Sequence, residues 1–411
     1  MTRILFVDDE PKILDGLKRM LRSQRHKWDM AFVDSGDEAL KRLASERFDI
    51  IVTDMRMPGM DGAQLLTEVR RLHPHMVRII LSGHSDQDVI MKSVRPAHQY
   101  LAKPCEPEKL LDVLSKTAAL RNVLPDDRLQ IAVSRIEALP ALPSLHESLV
   151  QELNGEGATV ESVARLVARD MGMTAMVLKL VNSAFFALSP HVATPKQAVG
   201  LLGLDVVKAL VVGHGLFSTA GENSLSGLSF QGLWRHSLAT AAYARRIVES
   251  EDREKDLAGH AFTAGLLHDV GKLILATVLP REYAEVLDLV RRDNRLVVEA
   301  EREVIGTTHG QAGGYLLGLW GIDTAVVTAV AHHNQPSGAP AATAAPGEVV
   351  CLAAVHVADV LERNLCVIHP EYVRPAMDRD WLASRGLAGR IAWWEENCQG
   401  LDTCGDEDGT D

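Results

Sequence analysis

Through the first 120 residues, short unbroken apolar runs alternate with amphipathic stretches. Residues 3–7 are one such run, closed by Asp8 and Asp9. Residues 11–22 carry Ile13, Leu14, Leu17, Met20 and Leu21 at helical spacing. Residues 49–53 (Ile50, Ile51, Val52) predict a buried strand ending at Asp54, and residues 64–72 predict a helix. Residues 77–81 and 100–102 read as further strands, and 107–120 as an amphipathic helix. Strand-length apolar runs separated by helical periodicity mark a parallel sheet covered on both faces. The ligand site of such a sheet lies at the carboxyl ends of its strands.

From about Leu124 the pattern changes. Asp126, Asp127 and the turn after them read as a linker, and helix-period stretches then succeed one another without strand alternation. The spacing predicts helices over 160–171, 173–183, 195–202, 205–217, 232–250, 255–276, 281–293, 297–305, 309–319 and 323–333, punctuated at Pro190, Gly203 and Gly321. Residues 337–347 form an Ala/Pro-rich loop, 349–361 resume helix, and the stretch after Leu401 is acidic and solvated. The expected organisation is an α/β module over 1–122, a linker over 123–134, an all-α module over 135–366 and an extension over 367–411 with an acidic tail.

Length and composition narrow the class. A chain of 411 residues fits two or three domains, and 46% apolar residues suffice for large cores. The five cysteines form no CxxC pair, which fits a reducing compartment. The beginning MTRILFVDDE meets acids too early for a secretory signal, and no run of about 18 uncharged apolar residues predicts a membrane span. A net charge of −12 without a basic cluster argues against direct nucleic-acid binding. A cytoplasmic protein without membrane insertion is the expectation.

The chemistry of the first module gathers at its strand ends. Asp8 and Asp9 close one strand and Asp54 another; Ser82 and Lys103 follow two later strands. Three converging carboxylates repel unless a cation joins them, and an all-oxygen site suits Mg2+. A hydroxyl and an ammonium beside it would hold phosphoryl oxygens, with Asp54 as nucleophile. Asp and Ser also end strands as ordinary turn residues, which accounts for any one of these positions but poorly for the set. The stretches FVDDE (6–10), VTDMRMPGMDG (52–62), LSGHSD (81–86) and YLAKP (100–104) resemble the receiver family of response regulators. The resemblance implies a five-stranded, flavodoxin-like doubly wound fold and phosphate transfer to Asp54 from a sensor histidine kinase. It assigns Mg2+ to Asp8, Asp9, Asp54 and the Arg56 backbone carbonyl, and the phosphoryl group to Ser82 and Lys103. It also makes Tyr100 the switch aromatic and the Lys103–Pro104 bond cis. RPAHQY (95–100) departs from the Gly-Ala pair common before that aromatic, and Pro96 is expected to end the fourth helix early.

In the second module His236, His268, Asp269, His309, His332, His333, His356 and Asp359 recur on predicted helices. Imidazoles and carboxylates on facing helices suit a transition metal, and two metals would polarise a phosphate and activate water. Lys272, four residues after His268, would meet a phosphate. Each lone histidine has a plainer reading as a hydrogen-bonded core or turn residue, but the adjacent His268 and Asp269 in AGLLHDVGKL would be costly to bury without partners. The stretches LPALPSL (139–145), LKLVNSAFF (178–186), AVGLLG (198–203), LWRHSLATA (233–241), AFTAGLLHDVGKL (261–273), EREVIGTTHGQAGGYLLGLWG (301–321) and VAHHNQP (330–336) resemble HDOD domains, an HD-related output branch of the metal-dependent phosphohydrolases. The superfamily pattern points to His236, His268, Asp269 and Asp359 for one divalent metal, Fe2+ or Mn2+ among them. It points to His309, His332 and His333 for a second, as in cyclic di-GMP phosphodiesterases. NQPSGAP lacks the Glu and the GYP element of those enzymes. Two functions follow. In the first, phosphorylation controls an output that acts on a downstream protein or through a homodimer. In the second, the receiver gates a metal-dependent phosphohydrolase, with a cyclic dinucleotide as one substrate. Phe185 and Phe186 read as core packing, with a partner groove as the alternative.

Overall fold

The computed structural model describes residues 1–82, 96–103, 105–124, 126–136, 139–155, 157–182, 192–208, 211, 218–219, 229–251, 255–339, 345–365, 373 and 375–399. Pro104, Phe185, Phe186, the helix expected before Pro96 and the acidic end after Leu401 lie outside them. Two compact units form. One is built on Met1–Glu137 with Lys179–Val192 and Leu316–Ile322; the other on Ala138–Leu178, Ala193–Tyr315 and Asp323–Asp411.

The first unit runs β1 (Thr2–Val7), α1 (Pro11–Met20), β2 (Trp28–Val33), α2 (Gly36–Ser45), β3 (Ile50–Asp54), α3 (Gly62–Leu72), β4 (Val77–Ser82), β5 (Gln99–Ala102), α4 (Pro107–Val123) and α5 (Asp127–Ser134). Its five strands are parallel in the order β2-β1-β3-β4-β5. Ile4 to Val7 and all of β3 are buried, because helices cover both faces of the sheet and no polar side is needed. Register pairs Val7 with Thr53, so the chain leaves β1 at Asp8 beside the end of β3 at Asp54. A capping box between Asp61 and Gln64 starts α3. Gly62 is required there: a Cβ would lie 2.2 Å from the Asp54 carbonyl oxygen. The strand β2 and helix α2 are additions to the elements expected from the sequence. The stretch expected as linker holds the end of α4 and the whole of α5. Asp126 caps α5 through the backbone N–H groups of Arg128 and Leu129, and the Ser134 hydroxyl donates to the Pro74 carbonyl at 2.6 Å. The buried Arg78 guanidinium donates to the Pro96 and Met76 carbonyls, which holds the start of β4.

The second unit is helical. It comprises α6 (Pro143–Asn154), α7 (Val160–Val167), α8 (Met171–Asn182), α9 (Pro195–Leu202), α10 (Leu204–Lys208), α11 (Phe230–Glu249), α12 (Lys255–Leu267), α13 (Val270–Val278), α14 (Pro280–Asp293), α15 (Val297–Val304), α16 (His309–Leu319), α17 (Thr324–His332), α18 (Pro346–Leu365), α19 (Arg379–Ser384) and α20 (Ile391–Cys398). The ends of α8 and α16 cluster with the first unit. One two-residue parallel pairing, β6 (Pro140–Ala141) with β7 (Ser218–Thr219), interrupts the helices. At the hub α11 packs on α12 and α18, and α17 packs on α18. The helix expected over 255–276 is two: α12 ends at Leu267, and Asp269 is the N-cap position of α13, with φ −97 and ψ 6. Asp256–Val278 is long and apolar enough to cross a membrane, but 83% of its most apolar window is buried within the fold. Within the expected extension α19 and α20 form, and the Trp394 indole of α20 donates to Glu251 at 2.7 Å.

Candidate functional site

At the carboxyl edge of the sheet, Lys103 Nζ lies 2.7 Å from Asp8 Oδ2 and also pairs with Asp54 Oδ1. The other Asp54 oxygen accepts the Arg56 backbone N–H at 2.9 Å, and Asp8 Oδ1 accepts that of Glu10 at 3.0 Å. Asp8 is buried, and Asp54 keeps 8% of its surface exposed. Burial works against the Lys103 ammonium, but its bonds to Asp54 and Asp8 prevail and raise its pKa. Asp9 is half-buried and stands outside that ion-pair network. Ser82 ends β4 opposite Ala102, and Tyr100 is buried on β5.

In the second unit, four buried imidazoles turn their Nε2 atoms toward one another around Asp269. His236 on α11 stands 3.1 Å from His268 Nε2 and 3.1 Å from Asp359 Oδ1 on α18. His268 Nε2 lies 3.5 Å from Asp269 Oδ2 and 3.6 Å from Asp359 Oδ1. On the other side of Asp269, His309 Nε2 is 3.1 Å from Oδ1 and 3.3 Å from His333 Nε2. The outward nitrogens are all engaged. His236 Nδ1 meets Glu362, His268 Nδ1 the Gly265 carbonyl at 2.6 Å, His309 Nδ1 Glu301 at 2.8 Å, and His333 Nδ1 the Val330 carbonyl at 2.9 Å. Acceptors at every Nδ1 fix the proton there and leave the Nε2 lone pair facing inward, as metal-binding histidines require.

Charge follows the same plan. Asp269, Asp359, Glu301 and Glu362 are all buried. Lys272 Nζ meets Asp269 Oδ2 at 2.6 Å; Arg363 reaches Asp359 at 2.7 Å and Asp269 at 3.4 Å. Burial opposes ionisation of Asp269, but the Lys272 ammonium holds it well below the usual carboxylate range. Asp359 is held down likewise, chiefly by Arg363 against its burial. Four carboxylates against two cationic side chains leave two negative charges, which two protons or one divalent ion would balance. Asp269 Oδ1 is buried without a hydrogen-bond partner. That orphaned oxygen and the inward lone pairs fit a divalent metal. Three sets offer a triad of ligand atoms: His236, His268 and Asp269; His268, His333 and Asp359; and Asp269, His309 and His333.

The structure thus gathers His236, His268, Asp269, His309, His333 and Asp359, but not His332. That ring is half-buried outside the cluster, because neighbouring helix residues point about 100° apart. Lys272 answers Asp269 instead of standing free. His356 spans the His333 carbonyl and the Asp378 N–H, a structural role. Sequence reasoning missed Glu301, Glu362, Arg363 and Asn334. The Asn334 amide nitrogen lies 2.9 Å from His309 Nε2 and 2.7 Å from His333 Nε2.

Comparison with known proteins divides the chain in the same way. The response regulator receiver domain model matches residues 4–115, and the HDOD domain model matches residues 139–336. The hydrogenase transcriptional regulatory protein HoxA of Cupriavidus necator is 30% identical over 210 residues, 47% of this chain and 43% of HoxA. The response regulator protein FleR of Pseudomonas aeruginosa is 34% identical over 117 residues, 28% of this chain and 24% of FleR. The chain spans less than half the length of these curated relatives. A solved virulence factor from Campylobacter jejuni shares the fold at 18% identity, with a TM-score of 0.53 over 67% of this chain and 96% of that one.

Proposed function

Since this chain is a response regulator that joins an N-terminal receiver domain to a C-terminal HDOD domain, we propose that Asp54 accepts its phosphoryl group and that the HDOD domain turns this into contact with a downstream protein. The carrying observation is Lys103 set between Asp8 and Asp54. An Asp54 carboxylate oxygen attacks phosphorus, the bond from phosphorus to the donor's histidine nitrogen breaks, and that nitrogen leaves with the electron pair. Lys103 and the Ser82 hydroxyl hold the phosphoryl oxygens, and Tyr100 responds as the switch residue. Mg2+, which Asp8, Asp9, Asp54 and the Arg56 carbonyl would hold, would supply the remaining positive charge. A receiver implies a phosphodonor such as a sensor kinase, and we place the protein in the cytoplasm.

A second reading makes the HDOD domain a metal-dependent phosphohydrolase. The converging Nε2 atoms and the orphaned Asp269 Oδ1 favour it. Fe2+, Mn2+ or a similar divalent ion would be held by His236, His268, Asp269 and Asp359 and would supply an activated water. The absence of a Glu after His333 weighs against turnover of a cyclic dinucleotide.

Intact-mass measurement after incubation with acetyl phosphate and Mg2+ tests the first reading. One added phosphoryl group is expected in the native chain and none in Asp54→Asn; equal labelling of both would remove Asp54 from the role. A panel of phosphodiesters with Mn2+ or Fe2+ tests the second reading. Turnover lost in His268→Ala, with the fold intact, would favour the enzyme.

A further inference from the structure

We propose that Asn334 reserves the histidine cluster for one divalent ion and closes the second position. The inference rests on the reading of the cluster as a metal site, and it names the residue that sets the metal count.

The two halves of the cluster differ in what their lone pairs meet. His309 and His333 each donate a hydrogen bond from Nδ1, to Glu301 and to the Val330 carbonyl, which makes Nε2 of the neutral ring an acceptor in both. The Asn334 amide nitrogen stands within 2.9 and 2.7 Å of these two atoms. An amide NH2 has two protons, one for each lone pair. It therefore bonds in place of an ion at the position that His309, His333 and Asp269 would otherwise form. Turned over, the amide would set its carbonyl oxygen against two lone pairs, a repulsion that only a proton or an ion would relieve. Among the described residues, the His236 and His268 pair has no amide or hydroxyl donor at its Nε2 atoms, although these are 3.1 Å apart.

Charge argues the same way. Asp269, Asp359, Glu301 and Glu362 against Lys272 and Arg363 leave two negative charges, and all four carboxylates are buried. One divalent ion brings the buried cluster to neutrality. A second would add two uncompensated positive charges in a low-dielectric interior, where an unpaired charge is costly. Asn334→Asp lowers that excess and removes the amide protons. Asn334→Ala removes the protons alone.

The test is metal stoichiometry. Full-length protein without an affinity tag is loaded with Mn2+, desalted, and its metal per chain measured by mass spectrometry, with circular dichroism to verify the fold. One ion is expected in the native chain and two in Asn334→Asp, where the amide protons are gone and a carboxylate offsets part of the second charge; Asn334→Ala, which leaves that charge unanswered, is expected to hold its second ion more weakly. Two ions in the native chain, falling to one in Asn334→Ala, would make Asn334 a ligand and overturn the proposal. Both variants remaining at one ion would overturn it as well. No ion in the native chain removes the metal reading itself, and this inference with it.

Discussion

The inward nitrogens of His236 and His268 stand 3.1 Å apart, with the other nitrogen of each ring already committed to Glu362 and to the Gly265 carbonyl. Two lone pairs at that distance repel until a proton or a metal ion lies between them. An ion that binds only the folded chain stabilises it by mass action, by about 2.7 kcal/mol at a free concentration a hundredfold above Kd. Saturating Mn2+ is therefore expected to raise the Tm of the HDOD domain by several degrees, and EDTA to reverse the rise. In His268→Ala the metal-dependent rise should vanish. A Tm indifferent to both reagents in the native chain would show that protons, not metal, fill the cluster.

Gly271 lies against the backbone of His309. A Cβ there would come within 1.8 Å of the His309 carbonyl oxygen, a contact that neither backbone can avoid without moving. Gly271→Ala should cost about 1–3 kcal/mol of stability and weaken metal retention. Gly16, inside α1 with nothing within 4 Å, is the control. Gly16→Ala should stabilise the receiver by about 0.5–1 kcal/mol. Urea titration followed by circular dichroism measures both, and equal effects would contradict the steric argument.

Removing the Lys103 ammonium leaves the Asp8 and Asp54 carboxylates without the charge they share. Lys103→Ala is expected to slow phosphorylation by acetyl phosphate about a hundredfold, the scale on which one aligned donor acts. A rate unchanged at saturating Mg2+ would assign Lys103 to stability alone.

Asp170 is buried and accepts the backbone N–H groups of Leu142 and Met173 at 2.9 and 2.8 Å. Burial raises its pKa to about 6, in spite of those bonds. A folded pKa above the unfolded value favours the protonated form on folding. The stability from this proton is fully present below about pH 4 and is lost as the pH rises through about 6, a span worth about 3 kcal/mol at 1.36 kcal/mol per unit. The HDOD domain should therefore lose part of its stability between about pH 4 and 7 through this group, against whatever other groups contribute. Asp170→Asn should flatten that component, read as the difference in Tm between the two proteins at each pH. A constant difference across the range would contradict it.

Much of the acidic pocket was legible because a parallel sheet places the ends of successive strands side by side, so Asp8, Asp54 and Lys103 announced themselves by position. The strand β2 did not, because WDMAFV at the sheet edge mixes exposed Asp29 with half-buried residues and lacks an unbroken apolar run. The linker expected over 123–134 rests on Asp126 and Asp127, and the first of these serves as a helix cap. In the histidine cluster the ligand types were visible, but their partners were not. Glu362 meets His236 across 126 positions of sequence, and no periodicity encodes that. Two adjacent histidines at the end of α17 gave no sign of which ring turns inward; the helix geometry chose His333.

A transferable phosphate on Asp54 can be located chemically. Reduction of the phosphorylated chain with borohydride converts an acyl phosphate on aspartate to homoserine, and peptide mass mapping reads the position. Homoserine is expected at position 54 and at no other acidic residue. Homoserine at position 8 or 9, or phosphate retained on a histidine or serine with none at 54, would contradict it.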